Sequence, residues 1–222
     1  AKVAILNQND DYGKDYVIGM QQAMGDKFDK MVVKRESYET SDPTVDSQIV
    51  SLANSGADVF VNISIPKFAA QAIKKLAAIG WKPLHLLNDV SASIAATYKP
   101  AGFENSKGIV SGDFYKDPND PERGNDAEKA KWLAWMAKYQ PNGDLKNKNN
   151  VYGWAVCHTM MAVLEQAGDD LSRENIMKQA GNLKQVKVPM LLPGMYIDTS
   201  PTDFFPIEQM QMMRFDGKGR NV

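Results

Sequence analysis

The chain has one cysteine, Cys157, and two histidines, His85 and His158, among 222 residues. A single cysteine excludes an internal disulfide and is compatible with either redox compartment. No Cys or His cluster has metal-ligand spacing, and there is no nucleophile elbow, so the usual catalytic toolkit is thin. An excess of one charge is also lacking: 26 basic residues face 27 acidic ones, for a net charge of −1. That balance leaves no electrostatic footprint for nucleic acid or an anionic membrane. No apolar run reaches the roughly 18 to 20 residues that a membrane span needs. The chain opens without a signal peptide, since Ala1 leads directly into a strand-like run, as a processed product would. What is there is ordinary: 43% hydrophobic and 24% charged residues, enough for a sizeable core in one or two domains.

The first half alternates between two periods. KVAILN, residues 2–7, is an apolar run too short for a helix. Residues 13–25 follow with helical spacing, Tyr16, Val17, Met20 and Met24 forming one stripe. Strands are expected at 31–38, 57–63, 84–87 and 108–114, with helices between them. Ser41-Asp42-Pro43 reads as a helix start, a capping side chain followed by proline at a position where its missing N–H does no harm. Pro66 opens a further helix, with Phe68, Ala72, Ile73 and Leu76 inward and Gly80 as its stop. This rhythm predicts an α/β fold, a parallel sheet flanked by helices on both faces. Ligands of such sheets sit at the carboxyl ends of the strands. The loops at those ends carry Tyr12, Phe68, Asp89, Phe114 and Tyr115, and an apolar wall with one or two polar anchors is how small-ligand pockets are built.

Asp117-Pro118-Asn119-Asp120-Pro121 marks a boundary. Beyond it helices are expected at about 121–139, 151–167 and 172–180, with strand-like pieces only at 194–197 and 207–215. Cys157 lies in an apolar helical pattern and reads as a small core residue. His158 beside it forms no dyad with it, because adjacent helical residues point about 100° apart. The acid-rich loop Asn9–Asp15 lacks the alternate ligands, turn glycine and distal glutamate of a calcium loop. It has one glycine, too few for a dinucleotide cradle.

The sequence resembles type I periplasmic solute-binding proteins of ABC transporters, in particular the branched-chain amino acid (Leu/Ile/Val) receptor branch. KVAILNQNDDYGKDYVIGM is similar to that branch's strand, acid-rich loop, Tyr-Gly and helix. SYETSDPTVDSQIVSLANSGADVFV, PKFAAQAIKKLAAIGWKP, GIVSGDFYKDPNDP and VYGWAVCHTMMAVLEQAG resemble later segments. The resemblance implies that residues 1–117 form a near-complete second lobe and residues 118–205 the later, mostly helical part of an incomplete first lobe. Residues 206–222 then supply a returning crossover strand and tail. It also implies that the chain lacks the family's N-terminal part.

The function implied is extracytoplasmic, in the periplasm. A small amino-acid-like or organic-acid ligand is bound between two lobes by hinge closure and handed to the membrane permease of an ABC importer, with no cofactor, no nucleic acid and no turnover. Tyr12 falls on the family's ligand-contacting tyrosine, and Asp89 on the acid that pairs with the ligand's ammonium. The family's aromatic after its third strand falls near Ile65 and Pro66, with Phe68 as its substitute; Phe114 and Tyr115 complete the expected set. The alternatives are a ligand-sensing module of a receptor or regulator, or a small α/β enzyme. Two expected helices carry apolar faces, Trp132, Trp135 and Met136 on one and Trp154, Met161, Val163 and Leu164 on the other. Left uncovered, such faces lead to the expectation that this chain self-associates.

Overall fold

The structure is a computed structural model that describes residues 1–121, 125–220 and 222. Among the described residues, six strands form one sheet: β1 (Val3–Gln8), β2 (Val32–Tyr38), β3 (Val59–Ile63), β4 (Leu84–Leu87), β5 (Val110–Asp113) and β6 (Gln211–Arg214). Their spatial order is β2-β1-β3-β4-β5-β6, and β1 to β5 pair in parallel. The longer helices are α1 (Asp11–Met24), α2 (Asp46–Ala53), α3 (Pro66–Ile79), α4 (Ala127–Tyr139), α5 (Lys148–Ala167) and α6 (Arg173–Ala180). The expected α/β class is what the chain adopts.

Residue contacts divide the chain into two compact units, residues 1–112 with 212–222, and residues 113–211. In the first unit β1 explains the architecture. All six of its residues are buried, and successive side chains point to opposite faces. Ala4 and Leu6 join Tyr38, Ile49, Leu52, Phe60 and Phe68 on one side. Val3 and Ile5 join Val17, Phe28 and Ile63 on the other. A strand buried on both faces reads as a continuous apolar run, as parallel strands under helical cover do. Each such side chain contributes about 1.5–3 kcal/mol on burial.

The second unit packs α4, α5 and α6 with an irregular segment. Trp132, Met136, Val151 and Val163 are buried with Leu183, Met190, Leu191 and Ile197. The strand expected at 194–197 is not formed. Only single bridges join Tyr115 to Leu191 and Val186 to Ile197, because Pro193 lies in the segment and Gly194 takes a left-handed φ of 84°. The helix expected from 121 begins at Ala127, where Asp126 accepts the Glu128 and Lys129 N–H groups; positions 122–124 of that expectation lie outside the described residues. The helix start expected at Ser41-Asp42-Pro43 comes later, at Asp46. Asp42 instead accepts the Glu39 N–H (2.9 Å), and Thr44 Oγ1 accepts the Asp46 N–H (3.0 Å). Cys157 is exposed rather than core. The buried stripe of α5 is Val151, Ala155, Val163 and Ala167, which leaves residue 157 on another face.

Candidate functional site

The first unit gathers its polar chemistry where β1, β3 and β4 end. Gln8 closes β1, and its amide donates to Asp10 Oδ2 at 2.5 Å while Asp10 Oδ1 caps α1 through the Gly13 N–H at 3.1 Å. That amide, with the capping bond, holds the Asp10 carboxyl below its usual range. A Cβ at Gly13 would lie 2.0 Å from the Gln8 carbonyl oxygen, so only glycine lets the helix start this close to the strand. The Tyr-Gly pair therefore fixes where Tyr12 stands. Across the sheet, the Tyr38 hydroxyl donates to Gln8 Oε1 (2.9 Å) and accepts the Ile65 N–H (3.0 Å). Burial pushes the Tyr38 phenol up to about 12. Pro66 is half-buried and occupies the first turn of α3, directly after Ile65.

The exit of β4 is stitched to that of β3. The Asn88 amide donates to the Asn62 and Ser64 carbonyls (3.2 and 2.9 Å), and Asn88 Oδ1 accepts the Ser91 N–H at 2.9 Å. Ser91 donates to the Ser64 carbonyl as well. These bonds hold the turn that presents Asp89, a half-buried residue. Asp89 Oδ1 accepts the Tyr16 hydroxyl at 2.6 Å. No partner is present for Asp89 Oδ2 among the described residues. Tyr12 meets Tyr16 edge to face, with ring centroids 5.3 Å apart at 72°. The Tyr12 hydroxyl is buried without a partner among the described residues. Burial, and then the charge of Asp89, push both phenols up.

The structure thus brings Tyr12 and Asp89 together through Tyr16. Phe68 is fully buried, its ring 4.4 Å from that of Tyr38, where it seats α3 on the sheet. Phe114 and Tyr115 belong to the second unit, with rings 4.2 Å apart. They line a groove of about 540 Å³ with Tyr152, Phe204, Phe205 and Met210. A second groove in that unit, about 610 Å³, lies between Trp135, Trp154 and His158. Neither groove touches Tyr12 or Asp89. The site is better assigned from the polar convergence at the strand ends than from groove volume, because orientation and specificity come from placed polar groups.

Sequence reasoning missed Tyr16, Gln8, Tyr38 and Asn88 as supports of the site. Tyr16 had a readable signal, lying four residues after Tyr12 and hence on the same helix face. It also missed the buried ion pair of the second unit, in which the Lys148 ammonium donates to Asp113 Oδ2. Asp113 Oδ1 accepts the Phe114 and Tyr115 N–H groups at 2.8 and 3.0 Å. Burial pushes the Asp113 carboxyl up, against the pull of Lys148 and those two N–H groups. His85 is buried beside Phe60, and burial holds its imidazole down at about 3. Among the described residues no three His, Cys, Asp or Glu side chains come together as a metal site. No described helix is long and apolar enough to cross a membrane.

A model of the periplasmic binding protein family matches residues 1–220. The chain belongs to that family. Among solved structures, a substrate-binding periplasmic protein from Ralstonia solanacearum is 16% identical with a TM-score of 0.81, covering 100% of this chain and 60% of its own. A branched-chain amino acid ABC transporter protein from Thermus thermophilus with bound valine is 15% identical with a TM-score of 0.80, covering 100% of this chain and 59% of its own. A leucine-binding protein from Thermotoga maritima is 15% identical with a TM-score of 0.71, at the same two coverages. The chain therefore spans about 60% of the length of these solved structures. No curated protein sequence matches it. The family and these neighbours are binding proteins, and the shared property is the fold.

Proposed function

We propose that this chain is part of the extracytoplasmic solute-binding component of an ABC importer, residing in the periplasm and delivering its ligand to a membrane permease without chemical turnover. Residues up to about 117 belong to one lobe and residues 118–205 to the other, with 206–222 returning to the first. The ligand is an amino-acid-like or organic-acid solute, gripped as two lobes close. Closure excludes water, and a dry site strengthens a few charged anchors. Tyr12, Pro66, Asp89, Phe114 and Tyr115 are the contacts proposed on the lobe of residues up to about 117, while Phe68 acts from behind the wall by seating α3.

One observation carries this reading. The Asp89 carboxylate stands at the carboxyl end of β4, where open parallel sheets bind ligands. One oxygen is tied by Tyr16, and the other has no partner among the described residues. An ammonium-bearing solute would add a charge-assisted bond to that half-exposed carboxylate, typically worth about 1.5–3 kcal/mol. The test is a thermal-shift screen of the intact receptor against the twenty L-amino acids and simple organic acids, followed by Asp89→Asn. Binding at 100 times Kd adds about 2.7 kcal/mol of stability. A solute that stabilises the native receptor and binds Asp89→Asn about 10- to 100-fold more weakly is the expected result. Undiminished affinity of Asp89→Asn for an ammonium-bearing solute would remove Asp89 from the site.

A further inference from the structure

We infer that Tyr16 is the positioning residue of this site, holding the Asp89 carboxylate in one orientation and backing the Tyr12 ring, so that selectivity for an ammonium-bearing solute depends on its hydroxyl. The inference rests on the solute-binding reading above and deepens it.

An aspartate carboxylate turns through a broad, soft torsion, and Asp89 sits on a single short turn (Asp89–Ser91), half-exposed. Left alone, it would present its two oxygens in many directions, and ordering it would cost a ligand part of its binding energy. The Tyr16 hydroxyl removes that freedom with a 2.6 Å bond to Oδ1, made across 73 residues of sequence from the face of α1. Charge-assisted O–H···O⁻ bonds of that length are among the stronger ones. Tyr16 is itself fixed at the ring, packing edge to face with Tyr12 and lying against the cluster of Val3, Ile5, Val17 and Phe28. The phenol carries one donor, and it is directed to Oδ1, so Oδ2 is the oxygen left with both acceptor sites for a ligand. One residue thereby sets the aim of the anionic anchor and the backing of the aromatic contact. Burial and the nearby carboxylate also keep the Tyr16 hydroxyl protonated, and hence a donor.

The test uses the intact receptor and the variants Tyr16→Phe, Asp89→Asn and Tyr16→Phe/Asp89→Asn. The probes are the twenty L-amino acids and, for the tightest binder, the carboxylic acid that lacks its amino group, all titrated calorimetrically. Tyr16→Phe is expected to weaken the amino acid about 3- to 10-fold while leaving the des-amino acid unchanged. In the Asp89→Asn background the same exchange is expected to change amino-acid affinity less than about 2-fold, the signature of coupling through Asp89. An equal loss for both ligands, including the loss from a variant that fails to fold, overturns the inference, as does an undiminished effect in the Asp89→Asn background. If instead Asp89→Asn leaves amino-acid affinity intact, or no amino acid binds, the solute-binding reading of the site fails, and the inference with it.

Discussion

Replacing Lys148 with Met would isolate one of the largest electrostatic commitments in the second unit. Lys148 is the first residue of α5, where a cation opposes the helix dipole. Its partner accounts for the placement: Asp113 is 1% and Lys148 10% exposed at the side chain. Removing one member of a buried pair costs about 3–5 kcal/mol, because the other charge is left uncompensated. Asp113 keeps the Phe114 and Tyr115 N–H groups, so we expect the lower end, about 3 kcal/mol at pH 8. The pH dependence supplies a second signature. Burial already raises the Asp113 carboxyl, and the substitution raises it further. Between the unfolded value of about 3.9 and the raised folded one, the native state holds a proton that the unfolded state has released. Stability therefore falls as pH rises through that window, and the deficit of Lys148→Met shrinks toward acid. Urea unfolding followed by tryptophan fluorescence at pH 5 and pH 8 reads this, since Trp132, Trp135 and Trp154 lie in the second unit. The double variant Asp113→Asn/Lys148→Met, which carries no charge to bury, should recover most of the loss. A Lys148→Met deficit under about 1 kcal/mol at pH 8, or one equal at both pH values, would refute the reasoning.

The first unit should show the opposite acid response. His85 is held neutral by burial with a pKa of about 3, so its contribution is fully present above the unfolded value of about 6.5 and is lost as pH falls toward the folded one. Urea midpoints followed by circular dichroism should give a loss approaching about 1.4 kcal/mol per pH unit below pH 6, and His85→Gln should remove that slope. The apolar faces of the second unit lead to the last expectation: Tyr152 (54%), Phe205 (78%) and Met160 (49%) stand exposed, so sedimentation of the 222-residue chain should show concentration-dependent association. A monomer at every concentration would dismiss it.

The parts of the fold that were legible in sequence are those where one local rule suffices. β4 could be read at 84–87 because a short run of three leucines around His85 is followed by Asn88, whose side chain caps the next turn. The start and end of α3 were legible because Pro66 sits in its first turn and Gly80 takes the left-handed conformation that ends a helix. The start of α2 misled because two neighbouring side chains could each cap, and the local turn before the helix gave Asp42 to the Glu39 N–H and Thr44 to the Asp46 N–H. Cys157 misled for a related reason. α5 is apolar nearly all round, so periodicity could not say which face is buried.

The site divides along the same line. Tyr12 and Asp89 were nameable because each follows a strand, and position relative to a strand end is a one-dimensional property. What orients them is not. The bond from Tyr16 to Asp89 spans 73 residues, that from Tyr38 to Gln8 spans 30, and that from Lys148 to Asp113 spans 35. Each joins residues whose sequence neighbourhoods already explain them as helix stripe, strand end or helix start. The second role of the first two pairs arises only when the parallel sheet sets β1 beside β2 and β3, and β3 beside β4, and that of the third only when the second unit packs α5 against Asp113. Phe68 makes the converse point. By sequence position it follows a strand and reads as a crevice aromatic, yet α3 turns it inward onto Tyr38, whose hydroxyl holds Gln8 and so the loop carrying Tyr12. Its influence on any ligand at that loop must pass through packing, so a cavity there would cost about 3–5 kcal/mol of stability before it touched specificity.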